Sequence, residues 1–261
     1  MALKWHFLYL PIRPTTKLQK DAMMSHIKQN KVRKILTKKV RQMYDIVADV
    51  ENLLTEMETD FYRVCIFGSA RISENSPVYQ LVEDLAEALA KQGVDIVTGG
   101  GPGLMEAANK GAKKGSHDGA RSIGLPIELP FESDANSHLD VKSHHRRFSS
   151  RLDEFMRLTR AVIVVPGGIG TLLELFYTWQ LLQVSHIKQR PLILFATDHY
   201  WKDFIDWIQK YPINKHLMSA PDLNMVQLVS SVDETVTALL PDINQFKSLS
   251  RTHQGSETLE D

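Results

Sequence analysis

"AVIVVPGGIGTLLELF", from Ala161 to Phe176, joins an apolar run to a helix-like run through a loop of one proline and three glycines. The run of alanine, valine and isoleucine is typical of a strand that is covered on both faces of a sheet. The stretch from Thr171 onward is largely apolar and predicts a helix. The whole stretch therefore predicts a strand, a loop with few side chains and a helix, which is the repeating unit of an α/β fold.

The same alternation continues on both sides of this stretch, from about residue 62 to residue 240. The predicted strands are YRVCIF (62–67), VDIVTG (94–99), SIGLPIEL (122–129), AVIVVP (161–166), PLILFA (191–196) and MVQLVS (225–230). Longer amphipathic stretches such as PVYQLVEDLAEALAKQG (77–93) lie between them, and Ser231 and Glu234 have the spacing of a capping box. Strands and helices in alternation predict a doubly wound, Rossmann-like parallel sheet.

Three regions of the chain differ in composition. Residues 1–60 are predicted to contain an N-terminal helical extension, because Thr16 to Asp60 lacks glycine and proline and its apolar residues recur at helical spacing. Residues 61–241 hold the predicted sheet, and residues 242–261 are a polar tail that we expect to be flexible. The extension is basic in its first half and acidic in its second. Because the acidic half would repel phosphate, we expect it to pack on the core or on a partner subunit, not on nucleic acid.

The overall composition restricts the classes of partner and the compartment. Lysine plus arginine and aspartate plus glutamate are balanced at 31 each, which gives no reason to expect nucleic acid or a membrane surface as a partner. The single cysteine, Cys65, cannot form an internal disulfide and points to a reducing compartment. The apolar patch from Trp5 to Leu10 is too short for a signal-peptide core. These features predict a cytoplasmic protein.

Three glycine-rich loops follow predicted strands, at the edge where doubly wound sheets bind their ligands. They are FGSAR (67–71), TGGGPGLMEAAN (98–109) and the loop of the first stretch quoted above. Backbone amides and helix N-termini favour an anion, so the loops predict a phosphate site, although glycines could also serve only to make tight turns. The chain lacks both the G-x-G-x-x-G dinucleotide fingerprint after its first strand and the Gly-Lys-Ser/Thr of a P-loop. A mononucleotide is therefore the expected ligand.

GGGPGLM (99–105) and PGGIGTLLE (166–174) resemble the paired signatures of the LOG ("lonely guy") family of cytokinin-activating phosphoribohydrolases, often labelled lysine decarboxylases. The resemblance implies an AMP nucleosidase type of hydrolase that splits AMP or a cytokinin riboside 5′-monophosphate into free base and ribose 5-phosphate. It also implies a homodimer or higher homo-oligomer without metal or cofactor. The family's arginine lies fifteen residues before the P-G-G proline, which gives Arg151. Leu152 and Leu173 stand where many members carry lysine and glutamate.

Arg151 and Glu174 are the predicted catalytic residues. Cleavage of an N-glycosidic bond develops positive charge on the sugar and negative charge on the base, which calls for a fixed carboxylate and a cationic donor. Glu174 is expected to face the sugar or the attacking water, and Arg151 the leaving base or another part of the substrate. The predicted substrate- and phosphate-binding residues are Gly68, Ser69, Gly99, Gly100, Gly101, Gly103, Gly167, Gly168, Gly170 and Thr171.

Three other interpretations are open at this point. A protein of this fold could carry a nucleotide or cofactor without catalysis. A decarboxylase would need pyridoxal phosphate on a lysine, but Lys110, Lys113 and Lys114 lie well past the glycine loop. A metal site could use His138, His144 and His145, but no acidic or cysteine partner stands at a ligand spacing. His144, His145 and Arg147 could instead line the mouth of the site.

Overall fold

The computed structural model describes Lys17, Val47 and the residue ranges 31–44, 61–116, 119–127 and 135–257. The chain divides into two compact units, Met1–Glu56 and Met57–Asp261. In the first unit, residues 31–44 are helical and apolar side chains such as Ile35 and Val40 are half exposed. The rest of the predicted N-terminal extension lies almost wholly outside the described residues.

The second unit contains a sheet of seven parallel strands. In chain order they are β1 (Arg63–Phe67), β2 (Asp95–Thr98), β3 (Ser122–Gly124), β4 (Val141–Lys142), β5 (Ala161–Val164), β6 (Leu192–Phe195) and β7 (Val226–Val229). The helices are α1 (Pro77–Ala90), α2 (Leu104–Gly115), α3 (Phe148–Leu158), α4 (Ile169–Gln183), α5 (Tyr200–Ile208), α6 (Ala220–Leu223) and α7 (Val232–Glu257), with a π-helical turn at Gln209–Ile213. The predicted α/β fold with a doubly wound parallel sheet is confirmed.

The strand order, β4-β3-β2-β1-β5-β6-β7, places β1 at the centre. The chain builds outward from β1 through β4 on one side and then returns to β5, which pairs with β1 on the other side. The order therefore reverses between β1 and β5. In open α/β sheets this switch point leaves a crevice at the carboxyl ends of the strands, where ligands bind.

The side chains of the central strands alternate between two apolar layers. Val64 and Ile66 of β1 pack with α1, α2 and α7 on one face, while Cys65 and Phe67 pack with α3, α4 and α5 on the other. Because both faces of the strand are covered, all five residues of β1 are buried. At the sheet edge, by contrast, only Val229 of β7 is buried, so β7 is covered less completely than the central strands.

The third predicted strand is shorter than its apolar sequence suggests. Residues 122–129 were expected to form one strand, but β3 ends at Gly124. Leu125 still donates to the Thr98 carbonyl at 2.9 Å, and Pro126 then has no N–H with which to continue the ladder. Beyond it, Ile127 makes an isolated bridge to His145, and residues 128 and 129 lie outside the described part of the chain. β4 was not predicted, because its two residues, Val141 and Lys142, lie in a polar stretch.

The structure also differs from the predicted flexible tail that begins at residue 242. α7 continues through Pro241 to Glu257, and Ile243 is fully buried. Phe246 packs edge-on against Tyr62, with ring centroids 5.7 Å apart. Leu239, Ile243 and Phe246 recur at helical spacing, so an apolar face continues along the helix beyond Pro241 and into the predicted tail. Within the described ranges, no helix has the length and apolarity needed to cross a membrane.

Candidate functional site

A cavity of about 480 Å³ opens at the carboxyl edge of the sheet, where the loops that follow β1, β2 and β5 meet. Most of the predicted site residues line it: Gly68, Ser69, Gly99, Gly101, Arg151, Gly168, Gly170, Thr171 and Glu174. Gly100, Gly103 and Gly167 do not line it and lie within the loops that form its wall. The structure thus brings residues from widely separated parts of the sequence into one site at the switch point of the sheet.

The glycines of these loops serve two different purposes. At Gly99 a side chain would collide with Arg151, because an added Cβ would lie 2.2 Å from the Arg151 Nη2. At Gly103, whose φ is +70°, a Cβ would lie 2.5 Å from the Ser69 carbonyl oxygen. At Gly168 and Gly170, by contrast, an added Cβ would meet nothing within 4 Å. These two glycines therefore leave open space beside the backbone, as an anion-binding loop requires.

The backbone amides of residues 167–171 form the most distinctive feature of the cavity wall. α4 begins at Ile169 with Gly168 as its N-cap, and no side chain caps the helix. The Leu172 N–H donates to the Gly168 carbonyl at 2.9 Å, which is the first hydrogen bond of the helix. The N–H groups of the five preceding residues, 167–171, donate to no acceptor in the described part of the chain. These free N–H groups and the helix dipole together create a positive potential that favours a bound anion.

Arg151 lies on the first turns of α3 and is held from two sides. Its Nε donates to the Leu125 carbonyl at 2.6 Å, and its Nη2 donates to the Gly99 carbonyl at 3.4 Å. The guanidinium also lies over the Phe155 ring, 5.2 Å from the centroid. Because the arginine is only 9% exposed, these contacts fix the direction of its remaining N–H groups.

Glu174 forms an ion pair with Arg151 at the cavity wall, with 3.6 Å between the Arg151 Nη1 and the Glu174 Oε1. It lies one helical turn after Gly170, so both are on the same face of α4. Burial raises the pKa of the Glu174 carboxyl from its ordinary 4.5 to about 7, and the nearby Arg151 opposes part of this rise. A carboxyl group with a pKa near neutrality can exchange a proton under physiological conditions.

The rest of the cavity wall is mainly apolar and was not predicted to belong to the site. It includes Ile127, Phe148, Leu152 and Leu173. Leu152 and Leu173 are the two positions at which the sequence departs from the pattern of the family it resembles, and both now prove to face the cavity. Nothing in the local sequence marks Ile127 or Phe148, because they reach the site only through the packing of the loop after β3 and of α3.

Arg71 also lines the cavity, and the sequence interpretation did not select it. It closes the loop after β1, and its backbone N–H donates to the Ser69 Oγ at 3.1 Å. The side chain is exposed at the cavity wall. A signal for it existed, since Arg71 stands three residues after Gly68 at a strand exit and a guanidinium is suited to phosphate recognition.

The lysines and histidines that suggested other chemistries do not line the cavity. Lys110 and Lys114 form ion pairs with the buried Glu83, and Lys113 pairs with Asp140. His138, His144 and His145 are likewise absent from the wall, although His145 pairs with Ile127 behind it. Across the described residues, no group of three or more histidine, cysteine, aspartate or glutamate side chains could hold a metal ion.

Comparisons with known proteins agree with this geometry. A family model described as "Possible lysine decarboxylase" matches residues 105–239, just over half of the chain. The cytokinin riboside 5′-monophosphate phosphoribohydrolase LOG4 of Arabidopsis thaliana is 31% identical over 166 residues, covering 60% of this chain and 72% of the relative. The chain belongs to the LOG family. A second LOG-family relative, the probable cytokinin riboside 5′-monophosphate phosphoribohydrolase LOGL5 of Oryza sativa subsp. japonica, is 27% identical over 188 residues, or 69% of this chain and 72% of the relative.

Solved structures with the same fold include proteins outside the named LOG enzymes. The molybdenum cofactor binding protein of Rippkaea orientalis is 19% identical, with a TM-score of 0.54, and covers 70% of this chain and 98% of its own. A structural-genomics target solved by X-ray crystallography is 22% identical, with a TM-score of 0.52, and covers 69% and 99%. At these identities the likeness shows the fold alone.

Proposed function

We propose that this LOG-family protein hydrolyses the N-glycosidic bond of a nucleoside 5′-monophosphate, giving free base and ribose 5-phosphate. AMP is the first choice of substrate. The observation that carries the proposal is the position of the Arg151 and Glu174 pair, one helical turn beyond a row of free amides in a single cavity. The printed names of the relatives, which are phosphoribohydrolases, support the same reaction class.

The 5′-phosphate is assigned to the loop after β5 and the start of α4. The amides of Gly168, Ile169, Gly170 and Thr171 have no acceptor in the described chain, and the missing side chains of the two glycines leave room for phosphate oxygens. Arg71 adds a cation to the same wall. Held there, the phosphate places the ribose along α4, beside Glu174.

The reaction then follows from the charges of the two catalytic residues. As the bond between the ribose C1′ and the base nitrogen breaks, the sugar becomes cationic and the base anionic. The Glu174 carboxylate stabilises the cationic sugar and accepts a proton from the water whose oxygen bonds to C1′. The Arg151 guanidinium stays protonated and stabilises the departing base by hydrogen bonding, while the base takes its proton from solvent.

The apolar side of the cavity is assigned to the base. Met105, Ile127, Phe148 and Leu152 offer a surface on which a flat purine can pack. Leu152 and Leu173 replace charged residues of the family pattern with apolar ones, which makes a base that carries an apolar substituent the alternative to adenine. A cytokinin riboside 5′-monophosphate is such a substrate.

Two other functions fit the site less well. A non-catalytic nucleotide or cofactor carrier needs the row of free amides, but it has no need for a carboxyl group of raised pKa that is paired with an arginine at the cavity wall. A pyridoxal-phosphate decarboxylase needs a lysine for its Schiff base, and there is none among the described residues that line the cavity. Base release distinguishes the hydrolase from the carrier.

A chromatographic screen of nucleoside monophosphates tests the proposal. Purified protein is incubated with AMP, GMP, CMP, UMP and N6-isopentenyl-AMP, and both free base and ribose 5-phosphate are quantified. We expect both products from AMP. Products from the isopentenyl derivative alone would favour the cytokinin alternative. Tight binding of these nucleotides without release of any base would support the carrier instead.

The pH dependence of activity should report the ionisation of Glu174. Because the carboxylate is the active form and burial raises its pKa to about 7, kcat/KM for AMP should rise as the pH increases through a midpoint near 7. The Glu174→Gln variant should lose this rise. Burial lowers the pKa of His145 below 6.5. A rise of kcat/KM centred well below pH 6.5 would therefore indicate the ionisation of His145 instead of Glu174.

The same ionisation should appear in stability. Between pH 4.5 and about 7 the folded chain holds the Glu174 proton more tightly than the unfolded chain does. Wild-type protein should therefore lose free energy of unfolding, relative to Glu174→Gln, as the pH rises through this range. A constant difference between the two proteins in urea titrations across this range would contradict the raised pKa.

Self-association and a cytoplasmic location complete the proposal. Ile169, Leu173 and Phe176 lie along one face of α4 and are 89%, 45% and 44% exposed. An apolar helix face of this kind indicates an interface, and its continuity with the cavity favours a second copy of the chain as its partner. The reducing compartment inferred from Cys65, which is a buried free thiol, is consistent with the cytoplasm.

Sedimentation velocity tests the self-association. The wild type should sediment as a dimer or larger oligomer, and Phe176→Asp should shift it toward the monomer, because a charge on this face would have to be desolvated. Trp207→Asp serves as the control, because it places a charge at a comparably exposed aromatic residue on α5. This variant should sediment as the wild type does. A wild-type monomer at all concentrations would contradict the proposed interface.

A further inference from the structure

The segment after β6 contacts the loop between β5 and α4, residues 165–168, which we call the phosphate loop. Tyr200 is the first residue of α5, and its hydroxyl donates to the Gly167 carbonyl oxygen at 2.5 Å. The side chain is 42% exposed, so packing in the apolar core is not its main role. Nothing in the sequence interpretation connected this tyrosine with the site, from which it is separated by the whole of α4 and β6.

The hydrogen bond fixes the direction of the peptide group between Gly167 and Gly168. No cis peptide bond occurs in the described chain, so this C=O and the following N–H point in opposite directions. With the Gly167 carbonyl held toward Tyr200, the Gly168 N–H points away from the tyrosine. Gly168 lines the cavity, whereas Gly167 and Tyr200 do not, so an N–H that points away from Tyr200 is expected to point toward the cavity.

This peptide has little else to hold it. It lies between two glycines, whose backbones have the widest conformational freedom of any residue. The Gly167 and Gly168 amides have no acceptor in the parts of the chain that the structure describes. A rotation of the peptide would turn its carbonyl oxygen toward the cavity, where it would repel an anion.

Tyr200 itself is firmly placed. Its backbone N–H donates to the Asp198 Oδ1 at 3.0 Å. Its ring packs edge-on against Trp201, with centroids 4.8 Å apart, and Trp201 is completely buried. The hydroxyl is therefore presented to the loop from a rigid support.

We propose that Tyr200 is a positioning residue that holds the Gly167 to Gly168 peptide with its N–H directed at the 5′-phosphate. This inference rests on the proposed function, in which the loop receives that phosphate. Tyr200 acts through the loop and does not touch the ligand. Its loss should therefore weaken binding of phosphorylated ligands and leave the remainder of the site as it is.

Calorimetric binding to Tyr200→Phe tests the assignment without depending on catalysis. The variant keeps the ring and its packing and loses only the hydroxyl. Its Kd for ribose 5-phosphate and for AMP should rise about five- to tenfold, the scale of one net hydrogen bond to the loop. Its Kd for adenosine, which has no phosphate, should stay within about twofold of the wild-type value on the same reasoning.

Tyr177→Phe is the matched control. The Tyr177 hydroxyl also makes a hydrogen bond, to Asp153, but Tyr177 does not line the cavity or contact the phosphate loop. Its removal should leave the affinity for ribose 5-phosphate unchanged. Thermal unfolding of both variants shows whether either one has lost its fold.

The outcomes separate this proposal from the proposed function. Equal affinity of wild type and Tyr200→Phe for ribose 5-phosphate would overturn the role of Tyr200, even if the wild type hydrolyses AMP. An equal loss for adenosine and AMP would also overturn it, since the effect would then be general. A wild type that binds no ribose 5-phosphate would overturn it together with the phosphate site. If Tyr200→Phe loses affinity only for phosphorylated ligands, the role of Tyr200 is supported even when the wild type releases no base. That result would refute only the hydrolysis.

Discussion

Replacing Glu174 with glutamine should lower turnover of AMP at least about a hundredfold, because the change removes a charge that is needed in the transition state. Glutamine has nearly the same shape, so the Kd for AMP should stay within about tenfold on the same argument. Steady-state kinetics together with equilibrium binding separates the two quantities. Equal losses in binding and turnover would mean that Glu174 only supports the structure of the site.

Glu154→Gln provides a matched control for this prediction. Glu154 lies on α3, three residues after Arg151, but it pairs with Arg157 and does not line the cavity. Neutralising it should leave turnover near the wild-type value. Arg151→Ala, by contrast, should lose turnover as Glu174→Gln does, and a near-normal rate would show that a different cation serves the reaction.

Adenosine should be a very poor substrate compared with AMP. The proposed phosphate site lies at the loop after β5, remote from the bond that breaks, and binding energy at a remote group positions the sugar for reaction. The loss should therefore appear in kcat as well as in KM. Hydrolysis of the two compounds at equal concentration measures it directly, and comparable rates would remove the phosphate from the mechanism.

Gly168→Val should abolish competition by inorganic phosphate and ribose 5-phosphate. A Cβ at Gly168 meets nothing within 4 Å, and the residue's φ of −94° suits any side chain. The valine therefore enters the space assigned to the anion without disturbing the protein, and thermal unfolding should change little. Gly167 offers the contrast, because an added Cβ there would lie 2.1 Å from the Thr171 Oγ1 and would disrupt the loop itself.

The features that could be predicted from the sequence are those that short stretches of the chain determine. Apolar strands followed by glycine loops predicted both the parallel sheet and the edge at which the cavity lies. Local patterns sufficed for these features because a strand, its exit loop and the following helix are contiguous in the chain. Arg151, which the structure places 3.6 Å from Glu174, was selected by the spacing that the family resemblance implies.

Features that depend on distant contacts could not be predicted in this way. Phe148 and Ile127 join the cavity wall through tertiary packing, and Tyr200 reaches Gly167 across 33 residues of sequence. α7 continues past Pro241 because Ile243 finds a buried position against the sheet, which a local propensity does not reveal. The raised pKa of Glu174 likewise results from burial that only the folded chain provides.

In the proposed function, the cavity cleaves a nucleotide between its sugar and its base. A time course of wild-type protein with AMP, in which adenine, adenosine, ribose 5-phosphate and inorganic phosphate are all quantified, shows which bond breaks. We expect adenine and ribose 5-phosphate in equal amounts, with release at least about a hundredfold slower in Glu174→Gln. AMP that is bound but stays intact, or that yields adenosine and phosphate, would contradict this function.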